Sequence, residues 1–382
     1  MQDLAPATET ELSEAIANSD GPLSIRGGAT RGFAVRGRTL STTRLSGIKL
    51  YEPGALTIVA RAGTPLSEVE DALAAENQRL PFEPMDHRAI LGTSGTPTIG
   101  GAVAMNASGP RRIVAGACRD CLIGVRFVDG TGKIVSNGGR VMKNVTGYDL
   151  VKMMAGSYGT LGVLSEVSFK VLPATPASAT LSLRGLSPRA AVDAMSAALG
   201  SPYEVSAAAH LPGADPVTHL RLEGFEASVA YRAERLTAHL ARHGTAEVET
   251  DAGKVAALWE EIRDARMFAG SGGDLWRISV KPSDGPRVTD ALGDAPMLMD
   301  LAGGLVWASV AEGTDLRAAI AGMPGHATLF RASDEMRARM GTFHPAPPPL
   351  AAIARGLRAR FDPRGILNPG LMDEAARDLE KA

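Results

Sequence analysis

The spacing of apolar and polar positions divides the chain near residue 176. Before that point the elements are short. Thr8-Glu-Thr-Glu11 has the form of a capping box, and Leu12, Ala15 and Ile16 give the residues after it one apolar face, predicting a helix that ends near Asn18. Leu23–Arg26 and Leu56–Arg61 read as strands. Thr64-Pro65 offers an N-cap with proline at the first helical position, and Leu66, Val69 and Leu73 predict a helix running to about Glu76. Val163–Val171 alternates apolar with polar and predicts a half-buried strand.

After the break Pro173-Ala-Thr-Pro176 the elements lengthen and their order repeats. Strands near 179–183, 205–211, 218–222 and 246–250 enclose helices at 188–199 and 227–242, a βαββαβ order. A helix near 255–267 follows. Strands near 275–280, 297–301, 305–310 and 327–330, with helices near 287–292 and 316–321, give that order again. Two ferredoxin-like halves side by side would make one antiparallel sheet covered on a face by helices. The chain closes with a helix at 350–361 and the turn Asp362-Pro-Arg-Gly-Ile-Leu-Asn-Pro-Gly370. The expectation is an α+β protein: a first domain over 1–175, an inserted lid over 176–331, and a return to the first domain over 332–382.

Glycine changes this picture most. The chain has 43 glycines among 382 residues, above the usual figure of roughly 7%. They concentrate in Arg26-Gly-Gly-Ala-Thr-Arg-Gly32 and between Leu91 and Leu164, beside hydroxyls and amides and with little lysine. Glycine is needed where φ is positive or where something touches the backbone. Such a wall suits a large planar ligand carrying a diphosphate. The first cluster follows a strand, but Phe33–Leu45 has no helical period, so a Rossmann unit is rejected. Successive N–H groups of Gly27 to Arg31 form either an anion nest or a plain turn, and beside the second cluster the nest is favoured.

A formal net charge of −2 with interspersed signs gives no basic footprint for nucleic acid. The start of the sequence lacks a signal-peptide pattern, and the apolar run 297–310 is interrupted by Asp300 and too short for a membrane span. A cytoplasmic protein is expected, associated with the inner face of the membrane only through partners. Two cysteines fit a reducing compartment and cannot hold an iron–sulfur cluster by themselves. No metal site is expected. Cys118-Arg-Asp-Cys121 has redox or half-zinc spacing, but with no second pair a buried strand-edge pair is the better reading.

Five ordered motifs, Arg26–Gly32, Thr98–Asn106, Lys143–Leu150, Gly156–Val163 and Phe361–Pro369, resemble the vanillyl-alcohol-oxidase (PCMH) type of FAD-dependent enzymes. Within that type the likeness is to FAD-binding subunits of glycolate-type 2-hydroxy-acid oxidases. The resemblance implies a two-subdomain FAD-binding domain with an inserted lid. It assigns Arg26, Gly27, Gly28, Ala29, Thr30, Arg31 and Gly32 to the diphosphate loop. Pro97, Thr98, Ile99, Gly100, Gly101, Ala104 and Asn106 would line the diphosphate and isoalloxazine. Gly156, Ser157, Gly159, Gly162 and Val163 would follow the ribityl and adenine side, with Asn368 joining from the C-terminal turn. Relatives with covalent FAD carry a histidine in the first loop; Ala29 and Thr30 stand there, so the FAD should be non-covalent.

Catalytic relatives also carry a His-rich lid motif, absent here, and Gly-Ser-Glu-Gly where this chain has Gly156-Ser-Tyr-Gly159. A catalytic flavoprotein sister subunit and an iron–sulfur subunit are therefore the implied partners, with a small 2-hydroxy acid as substrate. The alternative is a non-catalytic subunit that relays electrons or stabilises the sister chain. For catalysis in this chain the candidates are His326 as base, with Arg331 or Arg277 as carboxylate clamp. His87 reads as a surface loop residue, and Tyr148 and Tyr158 pack either on the cofactor or in the core.

Overall fold

The computed structural model describes residues 3–33, 35–139 and 147–372. They form two compact units, one of Met1–Ser108, Ala115–Ala174 and Pro345–Ala382, the other of Gly109–Val114 and Thr175–His344.

The first unit begins with the helix Glu9–Ala17. Thr8 caps it by accepting from Glu11 N–H, and the Glu11 carboxylate reaches back to Ala7 N–H at 2.8 Å and to the Thr8 backbone beside it. The strands are β1 (Leu23–Arg26), β2 (Arg38–Ser41), β3 (Ile48–Glu52), β4 (Thr57–Arg61), β5 (Gln78–Arg79), β6 (Leu122–Val128), β7 (Ile134–Gly138), β8 (Val163–Lys170) and β9 (Leu172–Pro173). β1 and β2 pair in parallel, and Leu367 of the C-terminal turn bridges to Leu23. The main sheet runs β3-β4-β8-β6-β7, antiparallel throughout.

β8 is central and buried almost along its whole length, not on one face. Its serines made it read as half-exposed, but Ser165 is buried and donates to Glu9 Oε1 at 2.6 Å. The helix Leu66–Ala75 presses Leu66, Val69 and Leu73 onto this sheet, where Phe82 stacks on Phe169. Its N-cap is Pro65, not Thr64, whose hydroxyl instead donates to Arg61 O and accepts from Gly47 N–H.

The second unit contains β10 (Ala177–Arg184), β11 (Ala207–Leu211), β12 (Val217–Gly224), β13 (Ala246–Glu249), β14 (Asp274–Val280), β15 (Met297–Asp300), β16 (Leu305–Val310) and β17 (Gly325–Arg331). Both βαββαβ halves are present in one antiparallel sheet ordered β13-β10-β12-β11-β15-β16-β14-β17. Each half has the same internal order. The halves meet through their second strands at the pair His210–Met299, so one runs as the mirror of the other. Helices Pro188–Leu199, Glu226–Leu240 and Gly285–Leu292 bury Met195, Leu236 and Val288 against Leu181, Leu220, Trp276 and Val306 on one face. On the other face the helix Ala252–Arg263 is fixed by Trp259, which donates to Thr180 and lies under the Arg221 guanidinium at 4.8 Å.

Candidate functional site

The first unit holds a cavity of about 340 Å³ built where three stretches of chain cross at backbone distance. One is the loop after β1, from Arg26 to Phe33. The second is the helix Ile99–Met105, and the third is the turn Ser157–Leu164, with Asn368 and Leu371 closing the rim. Glycine is dictated here by chain-on-chain contact. A Cβ on Gly28 would fall 1.5 Å from Thr96 O, and one on Gly95 would fall 1.7 Å from Gly28 O. The loop therefore lies flat on residues 95–98.

The same packing consumes two N–H groups at the start of the helix Ile99–Met105. Gly100 N–H donates to Ala62 O at 2.8 Å, and a Cβ there would sit 2.6 Å from the Ala62 Cβ. Gly101 N–H donates to Thr98 Oγ1 at 3.2 Å. A side chain at Gly100 strikes the protein itself, while one at Gly101 meets the flexible end of Arg31, whose Nη1 would be 2.7 Å away.

All seven residues from Arg26 to Gly32 line the cavity, as do Gly100, Gly101, Ala104, Ser157, Gly159, Gly162, Val163 and Asn368. Pro97, Thr98, Ile99, Asn106 and Gly156 stand behind the wall instead. Pro97 O accepts from Leu66 N–H, Thr98 caps the helix, Ile99 is in the core, Asn106 ends the helix and accepts from Arg119 N–H, and Gly156 N–H bonds Val103 O. Asn368 is also a clasp: its Oδ1 accepts from Ile25 N–H at 2.7 Å and its Nδ2 donates to Tyr158 O at 2.8 Å. Ile25, Phe33, Thr42, Ala62, Met105, Leu164 and Leu371 line the cavity without having been singled out as cofactor residues, and Tyr158 lines it too. Tyr158 takes a positive φ of 53° and meets Phe33 edge-on at 5.7 Å.

The polar chemistry of the cavity is one-sided. Among the described residues that line it, Arg26 and Arg31 alone carry charge. Arg31 Nε is buried with no hydrogen-bond partner, and Nη1 reaches only Thr30 Oγ1 at 3.5 Å. Burial lowers this guanidinium to about 10, so it stays cationic at neutral pH. Ser157 Oγ is likewise buried and unsatisfied. Buried polar groups in folded proteins normally have partners. An unsatisfied cation and an unsatisfied hydroxyl on residues that line the cavity fit a ligand with anionic and hydrogen-bonding atoms, as FAD has.

A family model described as an FAD binding domain matches residues 3–138. Over 375 residues the chain is 38% identical to the glycolate oxidase subunit GlcE of Escherichia coli, covering 97% of each. The chain belongs to the GlcE family. FAD is the cofactor, and the protein is an FAD-dependent oxidoreductase. Over 84 residues, 22% of this chain and 18% of the other, it is also 40% identical to the glycolate oxidase subunit GlcD of Bacillus subtilis. A solved alkyldihydroxyacetonephosphate synthase matches 96% of this chain and 76% of its own with a TM-score of 0.68 at 16% identity, which shows a shared fold.

Other sequence candidates fall elsewhere. His87 is buried, not on the surface. Tyr148 is 89% exposed and packs in neither way expected. Cys118 and Cys121 form one helical turn in the core rather than a strand edge; burial pushes the Cys118 thiol well up and Cys121 up to about 11, which suits inert thiols. In the motif Lys143–Leu150, residues 143–146 lie outside the described residues. No helix among the described residues is long and apolar enough to cross a membrane.

His326, Arg277 and Arg331 belong to the second unit. His326 starts β17 opposite Ser279. His326 is exposed, yet partial desolvation by its neighbours, then the charges of Arg277, His344 and Arg112, hold its imidazole below the usual value. The Arg277 guanidinium lies 6.0 Å from the Trp307 ring. Arg331 spends both terminal nitrogens inside its unit, Nη1 on Phe268 O and Nη2 on Ser271 Oγ, each at 2.9 Å. This ties a loop to the sheet.

Proposed function

We propose that this chain is the FAD-binding subunit of a glycolate-oxidising complex, holding its flavin non-covalently in the first-unit cavity and working with a flavoprotein sister subunit and an iron–sulfur subunit. The observation that carries the reading is a cation-lined cavity whose wall holds two unsatisfied polar groups, Arg31 Nε and Ser157 Oγ, in a chain of the GlcE family. Arg26 and Arg31 would hold the anionic part of FAD, Ser157 a polar edge, and Ile25, Ala62, Ala104 and Val163 the apolar surfaces. When bound, the flavin supplies a hydride acceptor. His326, neutral at physiological pH, is the proposed acceptor of the substrate hydroxyl proton, with Arg277 on its carboxylate. The proposed location is the cytoplasmic side, with any membrane association through partners.

A second reading is favoured by Arg331, whose terminal nitrogens are committed to Phe268 and Ser271 and so unsuited to clamp a substrate. In that reading the chain relays electrons for its sister and oxidises nothing alone. Acid precipitation and an anaerobic glycolate titration test both. Release of all flavin as FAD into the supernatant is expected, and flavin in the pellet would overturn non-covalent binding. Glycolate bleaching the flavin of the lone chain supports catalysis here; bleaching only with the sister subunit present supports the relay.

A further inference from the structure

The helix Pro348–Phe361 is fourteen residues long, yet Ala351 is its one buried residue. Leu350, Ile353 and Leu357 are 58%, 61% and 38% exposed. At spacings of three and four they lie on one stripe of the helix. An amphipathic helix in a stable domain turns that stripe inward, and this one turns it to solvent. It is nonetheless firmly anchored at its end. Arg358 Nη2 donates to Leu367 O at 2.9 Å, the Asp362 carboxylate accepts from Ile366 and Leu367 N–H, and Phe361 packs near Phe127.

Charge narrows the occupant. From residue 336 to 361 there is no carboxylate, while Arg355 and Arg360 are exposed and Arg360 lies seven residues from Ile353, flanking the stripe. Two copies paired helix to helix would face arginine with arginine and offer no acidic complement, so a second copy of this chain is disfavoured. Residues 373–382 hold a single large apolar side chain, Leu379, against a stripe of three.

We propose that the exposed face of helix 348–361 is the docking surface for the sister subunit, inserted into an apolar groove on that partner whose rim is acidic. This rests on the reading of the chain as one subunit of a complex. Helix-in-groove recognition uses anchors at i, i+3 and i+7, the spacing found here, with rim charges steering association.

The test co-expresses the full-length chain with the flavoprotein and iron–sulfur subunits of the same organism's glycolate oxidase, and compares Ile353→Asp, Leu357→Asp and Arg360→Glu. A central anchor should cost at least about tenfold in affinity, and Arg360→Glu should lower the association rate and its salt dependence, with FAD content and melting temperature unchanged. If the wild type assembles and the Asp variants assemble equally well, the surface is wrong and the subunit reading survives. If the wild type binds neither partner, the subunit reading fails and takes this surface with it. Self-association of the lone chain that Ile353→Asp abolishes would overturn the choice of partner in favour of a second copy.

Discussion

Replacing Arg31 with methionine should move cofactor affinity and apoprotein stability in opposite directions. The guanidinium is held in the cavity wall with Nε unsatisfied and one long contact to Thr30. Its fall from 12.5 to about 10 is caused first by burial, only partly offset by Tyr158, Asp86 and Cys118. Such a shift corresponds to on the order of 3 kcal/mol against the charged form; because the side chain is partly exposed, about 1–2 kcal/mol is the fraction expected in stability. The sign follows from linkage. A cation whose folded value lies below its unfolded one destabilises the fold at every pH below the folded value, and that cost is relieved only above about 10. Methionine keeps an unbranched stem reaching about as far as Nε and removes the charge, so the apoprotein should melt a few degrees higher at pH 7.5. Binding should suffer: one charge-assisted hydrogen bond to the diphosphate or the ring is worth about 1.5–3 kcal/mol, about ten- to 150-fold in Kd. Flavin fluorescence titration of apoprotein with FAD and with riboflavin, alongside calorimetry, reads both effects. If riboflavin binding is unchanged while FAD binding weakens, Arg31 acts on the phosphates. Unchanged FAD affinity, or a destabilised apoprotein, would refute the argument.

Gly28→Ala should yield insoluble or flavin-free protein because its Cβ meets the Thr96 carbonyl, whereas Gly101→Ala should fold with a circular dichroism spectrum like wild type and bind FAD less tightly through a displaced Arg31; equal behaviour of the two would count against this division. Arg111→Ala should destabilise the second unit by about 3 kcal/mol in urea, because it strips Glu223 of a buried bidentate partner at 2.7 and 3.0 Å; a change below about 1 kcal/mol would mean that Arg221, 3.6 Å away, compensates fully. His210 is fully buried, bonded to Thr218 through Nδ1 with Nε2 unsatisfied, and burial lowers it to about 4. The unfolded state takes up its proton first as pH falls, so stability should drop between about 6.5 and 4, and His210→Gln should flatten that drop in melting curves; an unflattened profile would shift the effect to His219.

The second unit was legible strand by strand because its signal is local. The alternation Leu275-Trp-Arg-Ile-Ser-Val280 marks β14 within one residue, and Ser187-Pro188 marks the start of the first helix there. The mirrored joining of the halves was not legible, since it depends on β11 pairing with β15 through His210 and Met299, a contact distant in sequence that leaves no local pattern. The cavity was legible as a cluster of glycines but for a partly mistaken reason. Gly28, Gly95 and Gly100 are glycine because other chain segments touch them, a contact invisible in one-dimensional spacing. Thr42 and Ala62 carry no motif and reach the wall because each directly follows the last residue of a strand, β2 and β4. Thr64 was misplaced as a cap because its hydroxyl had two better partners in space than in sequence.

The consumed N–H groups have a consequence for how the cofactor site communicates. Little free backbone polarity remains at Gly100 and Gly101, so in the proposed site the hold on FAD would rest on Arg31, Ser157, the Gly27–Arg31 loop and the register of the three crossing segments. That register is held by the C-terminal turn, where Asn368 clasps Ile25 and Tyr158 while Asp362 and Arg358 hold residues 366 to 368. Arg358 and Asp362 are the end of the exposed helix on which the partner is proposed to dock. A partner that orders this helix therefore orders the clasp, and with it the cavity wall. Binding free energies are reciprocal, so FAD should raise partner affinity by the same factor by which the partner raises FAD affinity. Arg358→Ala should reduce both factors equally, because it cuts the hydrogen bond between the helix and the turn without touching either ligand. A factor of one in the wild type would mean that the two sites are not coupled, and a factor above one left unchanged by the variant would place the coupling on another path.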